Sequence, residues 1–220
     1  RRSDGYIGVL IDDLVTKGTE EPYRMMTSRA EYRLVLRQDN ADLRLTPRGR
    51  AVGLVTDERW ARFTAKRDAI DAALALLRER RLRPSAETES VLADAGISPL
   101  RVPMSLFALL SREGDYRVLA ALFDLPALAD DVREEVEITA RYDGYIRKQE
   151  EQIARMERLE SRRIPAEFDY AAVTSLRLEA AEKLSAVRPR SIGQASRISG
   201  VSPADISVLL VYLERARRTS

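Results

Sequence analysis

Residues 130–162 read DDVREEVEITARYDGYIRKQEEQIARMERLESR. Apolar side chains recur at Val132, Val136, Tyr142, Ile146, Ile153, Met156 and Leu159, close to a heptad spacing, and acids and bases cover the other faces. Only a helical turn returns such positions to one side, so the stretch predicts one long α-helix with Gly144 as its weak point. Thr139 and Gln149 fall at central positions of the stripe, which disfavours a long coiled-coil homodimer. A second long helix is expected from Thr56 to about Arg81. Thr56 caps it, Asp57 and Glu58 suit the positive end of the helix dipole, and Trp60, Phe63, Ile70, Leu74 and Leu77 mark its buried side. The fold class is therefore mostly α, with these two long helices as an antiparallel scaffold.

Working outward, Asp4 to Lys17 reads as a helix with Ser3 or Asp4 as cap and Gly18 as stop. Its stripe of Ile7, Leu10, Ile11, Leu14 and Val15 predicts a core-facing side. Asn40 or Asp39 is placed to cap a short helix reaching Val52, interrupted by Pro47. Shorter helices, broken by Gly96, Pro99, Pro103 and Gly114, fill Pro84 to Pro126. Pro165 to Tyr170 is a natural boundary, after which three short helices fit: about Ser175–Leu184, Ile192–Ser199 and Pro203–Arg217. Ser191 with Gln194 forms a capping box, and Ser202 precedes a proline at a first helical position. Three segments are expected: 1–55, an arginine-rich stretch; 56–165, the long-helix scaffold; and 166–220, a small three-helix unit.

Hydrophobic residues make up 45% of the 220-residue chain, enough for a core, and charged residues 33%, above the roughly 25% of typical soluble proteins. Net charge is only +2, so any nucleic-acid surface must be local. With no cysteine there is no disulfide or thiolate nucleophile, and with no histidine the commonest general base and metal ligand is missing. No catalytic set and no metal site is expected. Gly5-x-x-Gly8 lacks the glycine pattern, preceding strand and distal acid of a dinucleotide site. The most apolar stretch, Ile206 to Leu213, falls far short of the roughly 20 residues that span a bilayer. The first residue is arginine rather than methionine, which suggests a fragment, and a cytoplasmic setting fits.

Chemistry is most concentrated in Pro22 to Thr46. From Arg24 to Arg50 seven arginines face three acids, Glu31, Asp39 and Asp42. Arg29, Arg33 and Arg37 are spaced by four, which keeps them on one side of either a helix or a strand. Guanidinium forks match phosphate and carboxylate oxygens, and with Tyr23 and Tyr32 nearby the segment is a candidate RNA surface. Its bland alternative is a solvated face with local ion pairs. A second basic cluster lies in Val187 to Arg218, where Arg188, Arg190, Arg197, Arg215, Arg217 and Arg218 oppose Asp205 and Glu214. The spacing of Ser196, Gly200 and Ile206 also resembles a helix-turn-helix skeleton.

Three blocks resemble one family in the right order. They are Ser3 to Leu14, the whole string Pro22 to Thr46, and Ser191 to Pro203. The family is that of glucose-inhibited division protein A, the flavin subunit of the enzyme that makes 5-carboxymethylaminomethyluridine at the tRNA wobble position. Residues 82–128 carry no matching motif, and Met26 stands where the family string has phenylalanine. The resemblance implies a C-terminal portion, with the flavin fingerprint and reactive cysteines lying upstream. It implies an FAD-dependent homodimer working with a GTPase partner, a reduced nicotinamide and a folate one-carbon donor. It implies tRNA contacts by Arg24, Arg29, Arg33 and Arg37, with Arg44, Tyr23 and Tyr32 beside them. It also implies partner docking by the terminal unit, at Arg188, Arg190, Arg197, Ile206 and Leu210. This chain alone would then be catalytically silent. The alternative is a non-enzymatic helical nucleic-acid-binding or adaptor module of helix-turn-helix type.

Overall fold

The computed structural model describes residues 1–219, with side chains described through Arg215. The chain is mostly helical, as expected. In order it forms α1 (Tyr6–Thr16), a 3-10 turn (Thr27–Arg29), α2 (Ala41–Ala51), α3 (Asp57–Glu79), β1 (Arg81–Leu82), α4 (Ala86–Asp94), β2 (Met104–Ser105), α5 (Leu106–Glu113), α6 (Tyr116–Phe123), α7 (Asp130–Ser161), α8 (Leu178–Val187), α9 (Ile192–Ala195) and α10 (Pro203–Thr219). Contacts group these into two units, Arg1–Arg33 with Lys148–Ser220, and Leu34–Arg147. The segments drawn at residues 55 and 165 from composition cross this division, because tertiary partners of the first 33 residues lie beyond Lys148.

In the Leu34–Arg147 unit, local signals set the helix ends. The Thr56 hydroxyl accepts from the Arg59 N–H at 3.3 Å, Ser85 from Thr88 at 3.1 Å and Ser105 from Ala108 at 3.2 Å. Gly114, at φ 81°, closes α5 in a left-handed turn. The core joins Ile70, Leu74 and Leu77 of α3 to Leu106, Leu109 and Leu110 of α5, Tyr116 and Leu119 of α6, and Val132 and Val136 of α7. The antiparallel arrangement expected for the two long helices is not found. Lys66 lies 3.8 Å from Asp131 and Arg78 3.9 Å from Asp143, so contacts advance in the same direction along α3 and the first half of α7. A short hairpin would have reversed the chain; α4, α5 and α6 instead intervene between the two helices.

In the other unit the core comprises Ile164, Tyr170, Leu184, Ile192, Ala195, Ile198, Ile206 and Leu209. Ser191 caps α9, accepting from the Gln194 N–H at 3.1 Å, while the Gln194 side chain accepts from the Arg190 N–H at 2.7 Å. Ser202 and Asp205 cap α10 reciprocally: Ser202 Oγ accepts from the Asp205 N–H at 3.3 Å and Asp205 Oδ2 from the Ser202 N–H at 2.8 Å. α1 departs from its sequence pattern. Ile7, Ile11, Leu14 and Val15 are exposed, and Val9, Asp13 and Thr16 are buried. The polar side of this helix turns inward because a buried arginine, Arg2, waits there.

Candidate nucleic-acid interface

Arg2 is the residue around which the start of the chain is organised. It donates to Asp13 Oδ1 at 2.7 Å, Asp12 Oδ2 at 3.1 Å, both Glu31 oxygens at 2.9 Å, and the Val9 carbonyl at 3.4 Å. Gly8 permits the approach: a Cβ there would stand 2.0 Å from the Arg1 carbonyl oxygen. Arg197 closes the network from the other end of the chain, with Nε and Nη2 each 2.7 Å from Asp12 and Nη1 2.6 Å from Glu160. Burial alone would raise the Asp13 carboxyl, but the Tyr23 hydroxyl, Arg2 and Lys17 outweigh it and hold it down to about 2. A cavity of about 650 Å³ opens beside this network, lined among others by Arg2, Asp12, Glu31, Tyr32, Met156 and Arg197.

The arginine segment hangs from this anchor. The Tyr23 hydroxyl donates to Asp13 Oδ2 at 2.6 Å, and the Arg29 guanidinium stacks over the Tyr23 ring at 4.5 Å. Arg24, Arg29 and Arg33 are exposed, and neither Arg24 nor Arg33 forms an ion pair among the described residues. Tyr32, expected beside them on the candidate RNA surface, is only 6% exposed and belongs to the interior. Residues 30–37 are neither helix nor strand, so the spacing of four does not line the arginines up as expected.

Arg37 and Arg44 belong to the Leu34–Arg147 unit and do a different job. Arg37 is 13% exposed, donating to Asp39 at 2.9 Å, Glu135 at 2.7 Å and the Leu34 carbonyl at 2.6 Å. It is spent on structure rather than presented to a ligand. Arg44 is half-buried, bonded to Asn40 Oδ1 at 2.9 Å and the Arg37 carbonyl at 3.0 Å. Asn40 places its side-chain amide on the Val35 carbonyl at 3.0 Å instead of capping α2. Glu135 escaped the sequence reading; its one signal was a carboxylate beside Val132 and Val136 on the apolar side of α7. Burial and the facing Asp39 carboxyl push it up to about 7 against the pull of Arg37.

Of the expected docking residues, Arg197 is 10% exposed and engaged by Asp12 and Glu160. Ile206 and Leu210 pack into the core, which a terminal unit this small needs more than a surface. Arg188 and Arg190 remain exposed, Arg188 in a left-handed backbone conformation with Nη1 3.0 Å from the Ala166 carbonyl. The side chains of Arg217 and Arg218 lie outside the described residues. A helix-turn-helix reader would present polar or basic groups from the start of α10. That end carries no arginine or lysine, exposing Pro203, Ala204 and only the Ser207 hydroxyl, which bonds back to the Pro203 carbonyl, and α9 has four residues.

The profile described as "tRNA modifying enzyme MnmG/GidA C-terminal helical domain" matches residues 57–150, and that described as "tRNA modifying enzyme MnmG/GidA C-terminal helical bundle" matches 152–220. The chain is 54% identical over 220 residues to the tRNA uridine 5-carboxymethylaminomethyl modification enzyme MnmG of Clostridium kluyveri, covering 99% of this chain and 35% of that protein. The enzyme of the same description from Roseiflexus sp. is 54% identical over 219 residues, with 99% and 32% covered. Among solved structures, Aquifex aeolicus GidA in its form II crystal superposes with a TM-score of 0.77 at 37% identity, over 97% of this chain and 33% of that one. The chain thus spans about a third of the length of its relatives.

Proposed function

The chain belongs to the MnmG/GidA family of tRNA-modifying enzymes as a C-terminal helical portion, and from this we propose that it holds tRNA for the enzyme that installs the 5-carboxymethylaminomethyl group on the wobble uridine. The observation that carries the reading is the state of three arginines. Arg24 and Arg33 are exposed without a carboxylate partner among the described residues, and Arg29 is stacked on Tyr23. Tyr23, the Arg29 carbonyl and Glu31 bond to the buried Arg2–Asp13 network, which fixes the chain beside Arg24 and Arg29 and lowers the ordering cost of presenting these forks to phosphate. Arg37, Arg44 and Tyr32 support the fold in this reading.

The two-residue strands offer no strand, glycine turn and helix on which a dinucleotide pyrophosphate would sit, so these residues do not fit a flavin site. FAD, the reduced nicotinamide and the folate donor belong, on this reading, to the part of the relatives' length that the chain does not span. Homodimerisation and a cytoplasmic setting go with the whole enzyme. Docking of the GTPase partner falls to the terminal helices, with Arg188 and Arg190 as the exposed charges. Cutting the chain after Pro165 would also remove Arg197 from Asp12, so Arg188→Glu with Arg190→Glu is the cleaner test of docking.

The tRNA assignment is tested by binding across a salt series. Arg24→Ala and Arg33→Ala should each flatten the slope of log affinity against log salt by about one unit, and lysine at the same positions should restore the slope but only part of the affinity. Unchanged affinity and slope in both alanine variants would overturn it.

A further inference from the structure

We propose that the corner formed by the end of α3 and the β1–β2 ribbon is a second RNA contact, where Arg80, Arg81, Arg83 and Arg101 hold backbone phosphates. This rests on the tRNA-binding reading above and adds a site on different residues, within the Leu34–Arg147 unit.

From Arg78 to Arg83 the sequence has four arginines and one acid, Glu79. Arg78 is occupied, its guanidinium 4.7 Å from the Phe107 ring centroid and 3.9 Å from Asp143. Arg80, Arg81, Arg83 and Arg101 are exposed and form no ion pair or side-chain hydrogen bond among the described residues. That sets them apart from Arg2, Arg37, Arg177 and Arg197, each of which meets a carboxylate.

Their backbone is fixed. The Arg80 carbonyl accepts from the Leu106 N–H at 2.9 Å, and the ribbon sets Arg81 opposite Ser105 and Leu82 opposite Met104. Leu82 and Met104 pack against the core, so strand alternation sends Arg81 and Arg83 out on the other face, about 7 Å apart. Pro84 holds Arg83 extended. Continuing the register by one residue sets Arg83 opposite Pro103, two residues from Arg101. A protein-docking site would need a buried apolar anchor at its centre, and the one large apolar side chain exposed at this corner is Val102. Permanently charged forks on a short rigid ribbon suit a repeating polyanion, and phosphate accepts both arms of the fork.

The test uses the whole chain and a transcribed tRNA, measured by fluorescence anisotropy at several salt concentrations. Arg81→Gln, Arg83→Gln and Arg101→Gln combined should lower affinity at least about tenfold at low salt and flatten the salt slope by about two units, at roughly 0.7–0.9 per lost contact. The melting temperature should hold, because exposed unpaired arginines contribute little to stability. The corresponding triple lysine variant should recover the slope. An unaltered slope in the glutamine variant overturns the inference while leaving the Arg24 and Arg33 assignment intact. Loss in the glutamine variant with none in Arg24→Ala and Arg33→Ala supports this corner and sinks the earlier assignment. A wild-type chain that binds no tRNA overturns both. Competition by polyglutamate as effective, per charge, as by polyuridylate would replace RNA with an acidic protein as the occupant and overturn the assignment.

Discussion

Arg197 and Asp12, 185 positions apart in sequence, meet through two hydrogen bonds of 2.7 Å each, with both side chains nearly removed from solvent. Removing the guanidinium leaves the nearly buried Asp12 with Arg2 alone and Glu160 with Ser191 alone. Arg197→Ala should therefore destabilise the Arg1–Arg33 and Lys148–Ser220 unit by about 3–5 kcal/mol, and Arg197→Lys should recover only part of this, because an ammonium cannot fork onto Asp12 and reach Glu160 together. Chemical denaturation followed by hydrogen exchange at α1 and α9 measures both.

Glu135 makes the other unit sensitive to pH. A carboxyl raised from an ordinary 4.5 to about 7 binds more protons folded than unfolded, so its contribution to stability is lost as pH rises through that window. Arg37, Asp39 and the Lys66 ammonium are charged groups near it; burial raises Asp39, but Glu135 and Arg37 outweigh this and hold it below its usual value, outside this window. Glu135 Oε2 finds no donor among the described residues, whereas a protonated Glu135 can donate to Asp39. Glu135→Gln keeps an oxygen for Arg37 and offers N–H to Asp39. It should flatten the pH dependence between about 4.5 and 7 and match or exceed wild type at pH 8 by about 1–3 kcal/mol. Melting curves at pH 5 and pH 8 decide this.

Arg37 and Arg33 should behave oppositely although both lie in one arginine-rich string. Arg37→Ala strands Glu135 and should cost about 3 kcal/mol at pH 8, less at pH 5 where Glu135 takes up a proton. Arg33→Ala should change stability by no more than about 0.5 kcal/mol. Equal melting temperatures for the two variants at pH 8 would contradict the burial of Arg37.

Gly193 carries a constraint that its helix propensity hides. A Cβ there would stand 2.6 Å from the Glu160 carboxyl, which is held by Ser191 at 2.6 Å and by Arg197. Gly193→Ala should cost about 1–2 kcal/mol despite alanine's preference for helix, by pushing Glu160 off both partners. Combined with Arg197→Ala the two costs should fall well short of additive, since both break the same contacts. A double-mutant cycle gives that coupling directly.

What could be seen in the sequence was local. The caps at Thr56, Ser191 and Ser202, the buried face of α3 and the glycine stops all depend on residues within one or two turns, and they stand where the pattern put them. What stayed hidden depended on distant partners. The apolar stripe of α1 pointed to the wrong side because the inward pull comes from Arg2, whose acids are scattered over Asp12, Asp13 and Glu31. Arg37 and Tyr32 looked like surface residues because Glu135 lies 98 positions from Arg37, and no short-range pattern reveals that a carboxylate will be buried beside it.

The discontinuity of the first unit also imposes an order on synthesis. Residues 1–33 leave the ribosome long before Lys148–Ser220 exist, and the whole of Leu34–Arg147 can fold in between. Through that interval Asp12 has no Arg197 to pair with. The unit closes only once Lys148–Ser220 has emerged, so its slow, non-local pairing waits until the whole of Leu34–Arg147 has been made.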